Sequence, residues 1–321
     1  MAGNLTICER SLKNLREFNK KWRFSMVPLE EIFCFIDDFC KCFQQHHQSR
    51  LLPNSNRKRN KPCRLTIAEI MTILVLFQLS HYRTFKDFYL SCLIPHYKSA
   101  FPKLVSYSRF VELIPYAIMP LLVLLLNTAG QKTGKYFIDS TKLFVCDNRR
   151  IYRHKVFQGI AQRGKTSTGW FFGFKLHLLI NNKGELMSFR ITPGNTDDRT
   201  VVEKMTQGLE GWLFGDKGYL GKDLAQRLLN QGIELITRLK KNMKDQFLDP
   251  IRQCWLDKRG IIETSIDQLK AIFHIQHTRH RSPDNFLANV LAGLLAYVFK
   301  PKKPTVSFAQ HIPQCLSLMS N

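Results

Sequence analysis

The sequence predicts an α/β domain built on a mixed sheet, preceded by an all-helical region. Three observations carry that prediction. Apolar residues recur at helical spacing through about residue 126. Period-two alternation and short apolar runs take over from about Gly134. Strands and helices then alternate towards the C-terminus.

The helical part reads in order. Over residues 28–45, Ile32, Phe35, Ile36, Phe39 and Phe43 fall on one helical face. Residues 51–62 form a linker with Pro53, Asn54 and Ser55 and the basic cluster Arg57, Lys58, Arg59 and Lys61, read as a solvated loop or a phosphate-gripping arm. Thr66 caps a helix running to about Leu79, with Glu69 in the capping-box position. Thr84 opens another helix to about Leu93. Ser106 or Ser108 opens a third over residues 109–113. Three short helices with polar turns permit a helix-turn-helix unit within residues 66–115. The run 113–126 is apolar but only 14 residues long, and it contains Pro115 and Pro120. A membrane span needs about 20 residues, so the run reads as a buried helix.

From Gly134 the elements change. Residues 135–145 and 170–180 read as strands, and the turn Asn181-Asn182-Lys183-Gly184 makes a hairpin with a third strand over 185–191. A helix is expected over 197–209, capped by Thr196 or Asp197. A short strand at 212–214 ends in Gly215-Asp216-Lys217-Gly218-Tyr219. Then come a helix over 222–231, a strand over 233–239, and helices over 261–273 and 286–299, the last stopped by Lys300-Pro301. This matches the ribonuclease H-like order. The expected division is a helical region 1–130, an α/β domain 131–304 and a tail 305–321.

Composition narrows the function. Hydrophobic residues make up 44% of the 321, enough for a real core. Lys and Arg number 48 against 25 Asp and Glu, a formal charge of +23. Both parts are basic: residues 1–130 hold 18 basic and 9 acidic residues, and residues 131–321 hold 30 and 16. Such a chain fits a polyanionic partner better than a neutral metabolite. The first 20 residues are charged throughout, with no apolar signal core. Nine cysteines without a CxxC pair fit reduced thiols, not a disulfide framework. Cys40, Cys42, His46 and His47 match no closed zinc spacing and read as half-buried helix positions.

Three carboxylates stand out. Asp139 lies mid-strand among apolar and aromatic residues, where a charge is costly unless something positive meets it. Asp216 ends a core strand between glycines, which allow close approach of a metal or phosphate. Glu263 lies in the first turns of a helix beside Ile261, Ile262 and Ile266. Singly each reads as an ordinary strand, turn or surface residue. Together, in a basic α/β chain, they read as a site for two hard divalent cations of the kind that serve phosphodiester displacement.

The stretches GKYFIDSTKL, GWFFGFKLHLLINNKGEL, ITPGNTDDR, FGDKGYLG and KRGIIETSIDQLKAIFHIQHTRHRSPDNFLANVLAGLLAY resemble the DDE transposases of bacterial insertion sequences, most closely insertion-sequence family 982. The resemblance spans about residues 66–304 and is most specific over 135–300. It implies a ribonuclease H-like catalytic domain, with Asp139, Asp216 and Glu263 as catalytic and metal-holding residues for two Mg2+ (or Mn2+) ions. Related families carry Tyr, Arg, Glu and Lys at fixed helical spacing; here Arg259, Glu263 and Lys270 match, and Leu256 stands where the tyrosine would be. The resemblance also implies double-stranded DNA as partner, both terminal inverted repeats and target. It implies a homodimer in the synaptic complex, no membrane, and a bacterial cytoplasmic, nucleoid-associated location. The expected reaction is cleavage at transposon ends followed by strand transfer. Alternatives are a nuclease of the same fold that does not join, and a domesticated protein that only binds DNA.

Around the trio, Lys175 is expected to meet DNA phosphate or a carboxylate near Asp139, with a solvated lysine as the alternative. His177 shares its strand face and reads as structural. Asp197 and Asp198 read as helix caps rather than metal ligands. Arg149 and Arg150 belong to a basic run between the first two strands, read as DNA contacts or solvated loop. Arg259 is expected to contact DNA. Lys270, seven residues beyond Glu263 and so about two helical turns along nearly the same face, is expected to position the next phosphates of a bound end.

Overall fold

The computed structural model describes residues 28–48, 63–80, 82–166, 169–238, 249–276 and 280–306. In chain order its elements are α1 (Leu29–Gln48), α2 (Ile67–Leu79), α3 (Tyr107–Leu113), α4 (Ile118–Asn127), β1 (Lys135–Cys146), β2 (Gln162–Thr166), β3 (Gly169–Asn181), β4 (Leu186–Pro193), β5 (Gly211–Gly215), α5 (Lys222–Asn230), β6 (Ile233–Thr237), α6 (Pro250–Asp257), α7 (Gly260–Ala271) and α8 (Pro283–Phe299). They form two compact units. Among the described residues, those up to 128, 154–158 and 268–302 form the helical unit, and 129–153, 159–267 and those from 303 form the α/β unit. The sequence places one boundary near residue 130. The helical unit instead draws on three separate stretches, because α8 packs on α2 and α4.

In the helical unit the local signals act as the sequence implies. Thr66 accepts from the Glu69 amide while Glu69 reaches back to the Thr66 amide, a complete capping box. Thr84 caps residues 85–96, whose middle, Phe88–Leu93, is π-helical. Ser106, not Ser108, caps α3. Tyr107–Asn127 is by length and composition apolar enough to cross a membrane. Its helix is interrupted by a 3₁₀ turn, Ile114–Ala117, whose second residue is Pro115, and α4 then packs on α8. Cys40 is buried 3.6 Å from Met71 Sδ, and burial pushes its thiol up to about 12. The side chains of His46 and His47, and the basic linker at 51–62, lie outside the described residues.

The α/β unit is a six-stranded mixed sheet in the order β2-β3-β1-β5-β6, with β4 pairing β3 as well. Strand β3 is antiparallel to β1 on one edge and shared on the other between β2 and β4. Strands β5 and β6 continue parallel to β1. Helices flank the sheet, and this is the ribonuclease H-like arrangement. One face carries Tyr136, Ile138, Leu179 and Leu213 against Val202, Leu224 and Leu228. The other stacks Phe137 on Phe214 at 5.3 Å and packs Trp255 of α6 against both. The hairpin turn at 181–184 is organised by Asn181, whose Oδ1 accepts from the amides of Lys183 and Glu185.

Three elements differ from the sequence reading. The helix expected over 197–209 is only a 3₁₀ turn, Asp198–Val201, and one helical turn, Val202–Met205. Gly208, at φ +73°, turns the chain away. Strand β2 was not expected: its sequence QRGKT lacks an apolar face. Helix α6 was also missed, although Asp249 caps it and Pro250 fills its first position.

Candidate active site

The β1–β5 register brings two aspartates together. Phe137 pairs with Phe214. Continuing that register two residues sets Asp139 beside Asp216, just past the end of β5. Both are two residues on from Phe rings of the Trp255 face, so both belong to that face. Helix α7 supplies the third carboxylate, anchored by the buried Ile261, Ile262 and Ile266 while Glu263 stays 54% exposed.

A cation already lies between two of the three. Arg259, just before α7, donates from Nη1 to Asp139 Oδ2 at 3.3 Å and from Nη2 to Glu263 Oε1. Asp139 Oδ1 also accepts from the Ser140 amide at 2.7 Å. These contacts only partly offset the environment. Burial pushes the Asp139 carboxyl up to about 6, and the charges of Asp216 and Glu263 push the same way, against the Ser140 amide and Arg259. Asp139 is thus a poorly compensated carboxylate with two more acidic groups in its field. Among the described residues no three or more His, Cys, Asp or Glu are grouped so that they could hold a metal ion as they stand. The positive charge between Asp139 and Glu263 is the Arg259 guanidinium.

The opposite face holds a second polar group that sequence reasoning missed. Asp198 is its hub. It accepts from Ser140 Oγ at 2.7 Å and from Lys175 Nζ at 2.8 Å, and it lies 3.9 Å from His177 Nδ1. Lys175 also donates to Thr196 O. With 13% exposure it is enclosed here, on Asp198 and not Asp139. His177 is fully buried with Nε2 2.8 Å from Thr192 Oγ1; burial drives its pKa down to about 4, so it is neutral at physiological pH. Tyr219 is held far from ionisation by burial, reinforced by Asp139 and Asp198. Asp197 does act as a cap: it accepts from the Arg199 amide and pairs with its guanidinium, which holds its carboxyl down at about 2. The signal available in the sequence was the Thr-Asp-Asp run, where only the first aspartate is free to cap.

Arg149 and Arg150 lie exposed in a 3₁₀ turn, Asn148–Arg153. Nearby in sequence, Trp170 is 52% exposed with Arg163 at 4.9 Å and Lys165 at 5.6 Å from its ring. Lys270 lies in the last turn of α7, where the chain passes into the helical unit.

Residues 129–283 match the family model of the transposase DDE domain. No curated protein matches the chain. The matched stretch contains Asp139, Asp216 and Glu263 and covers all six strands, and it supports a transposase acting on DNA.

Proposed function

We propose that the protein is the DNA transposase of an insertion sequence of the family 982 type, which cuts at the transposon ends and joins them to target DNA. The observation that carries this is the meeting of Asp139, Asp216 and Glu263 on one side of a ribonuclease H-like sheet, within a stretch matching the transposase DDE domain. Asp139 and Asp216 would hold two Mg2+ or Mn2+ ions and Glu263 one of them; when bound, these ions supply the activation of the attacking oxygen and the stabilisation of the leaving oxygen.

The rest of the work falls to this chain's own groups. Arg259 keeps the carboxylates from repelling one another. Lys175 fixes Asp198, and Asp198 fixes Ser140 next to Asp139, so the strand carrying the key carboxylate is braced from behind. Arg149 and Arg150, with the cations around Trp170, are DNA-backbone contacts, and Lys270 positions the end beyond the scissile phosphate. The working form is a homodimer that pairs two ends.

The test is a pre-cut transposon end supplied with target DNA and magnesium. A joined product is expected. Cutting without joining would make the protein a nuclease, and binding without either would make it a DNA-binding protein.

A further inference from the structure

A cleft of about 520 Å³ opens in the helical unit, built only from residues of that unit. Its apolar wall is aromatic: Phe77, Phe85 and Tyr107 line it. Phe85 is the centre of that wall, with ring centroids 5.3 Å from Phe77 and 6.2 Å from Tyr107. Both Phe85 and Tyr107 keep part of their surface uncovered. The polar lining is unbalanced. Arg83, Lys86 and Arg281 line the cleft and are exposed. The N-terminus of the 17-residue helix α8 also lies here, capped by Ser282. In its first turn Asn285 lines the cleft, and its buried Oδ1 accepts no hydrogen bond from the described residues.

These features select one chemistry. Flat aromatic walls favour a planar ring. A buried acceptor without a donor calls for an N–H group on that ring. Three cations call for phosphate beside it. We infer that this cleft takes an unstacked nucleobase of a single DNA strand, with the base against Phe85 and Tyr107, an amino or imino N–H on Asn285 Oδ1, and the flanking phosphates on Arg83, Lys86 and Arg281. The inference goes beyond the carboxylate site and requires none of its residues, so its failure would leave the transposase reading untouched.

The test uses the full chain and a short single-stranded oligothymidylate with a central 2-aminopurine, in parallel with the same strand carrying an abasic site there. Insertion predicts quenching of 2-aminopurine fluorescence and affinity for the base-bearing strand about tenfold above the abasic one. Asn285→Leu and Tyr107→Ala should each erase most of that ratio. Arg83→Ala combined with Arg281→Ala should weaken both strands alike, because phosphate contacts do not read the base. Circular dichroism confirms folding; if Tyr107→Ala does not fold, Asn285→Leu decides alone. Equal affinity for the two strands, or a ratio unchanged in Asn285→Leu, overturns the inference. So does 2-aminopurine deoxynucleoside monophosphate binding as tightly as the strand, which would make the cleft a free-nucleotide site.

Discussion

Asp139 bears the tension of the site. Its neutral form is favoured by the fold, since its pKa moves from 3.8 to about 6. A carboxyl raised in this way favours folding below about pH 4, and that contribution is lost as pH rises through 6. At pH 8 the metal-free protein therefore carries an ionised Asp139 at a cost of about 2 kcal/mol, allowing for its 23% exposure. Asp139→Asn is expected to raise stability to urea at pH 8 in a chelator by about 1–2 kcal/mol, with no gain at pH 4; a loss at pH 8 would show that burial is not what strains this residue. Arg259 makes the complementary case. Arg259→Gln removes the cation between Asp139 and Glu263, so the metal-free melting temperature should fall, with about 1–3 kcal/mol lost, and magnesium should restore much of it. A variant as stable as the parent without metal would mean the bridge carries no weight. At this scale the sequence was legible where chemistry is local: Thr66, Thr84 and Ser106 each cap the helix that follows them. It was not legible for Lys175, because an alternation pattern places a side chain on a face without naming the Asp198 that meets it from another element.

Among the elements, β3 does the most, since it pairs with β1, β2 and β4. Its flexible point is Gly173, at φ +156° opposite the bulge in β1 between Phe144 and Cys146. A Cβ there would stand 2.1 Å from Leu143 O, a backbone atom that cannot turn aside. Gly173→Ala should cost about 2–4 kcal/mol, read as a lowered urea midpoint; an unchanged midpoint would mean that β1 can shift without loss. Strands β1 and β3 were readable because they are long and apolar, and the hairpin turn from β3 into β4 is marked by Asn and Gly. Strand β2 was not, because it is short and polar and takes its conformation from pairing with β3. The helix expected over 197–209 failed for the opposite reason: the apolar spacing of Val201, Val202 and Met205 is real and buried, but Gly208 ends the run early.

At the scale of the molecule, the helical unit is completed by α8, more than 150 residues along the chain from α4. Local periodicity cannot reveal such a partner, which is why the sequence closes that region at residue 130. A fragment of residues 1–130 should therefore leave Ile70, Ile73, Leu121 and Leu124 incompletely covered and melt without a sharp transition by circular dichroism; cooperative melting would show that α8 is dispensable. The same long-range assembly produces the site, with carboxylates from β1, from the turn after β5 and from α7. Singly the three carboxylates read as ordinary strand, turn and helix residues, and the sequence gathers them only jointly, whereas the Arg259 bridge appears only when α7 is set against β1. The account rests on these three carboxylates acting as one centre. The most direct measurement is magnesium-dependent cleavage of DNA carrying the inverted repeats that flank the gene, by the parent chain and by Asp139→Asn, Asp216→Asn and Glu263→Gln, each shown to be folded. The account predicts cleavage by the parent and its loss by at least about a hundredfold in every variant; a folded variant that cuts at close to the parent's rate would contradict it.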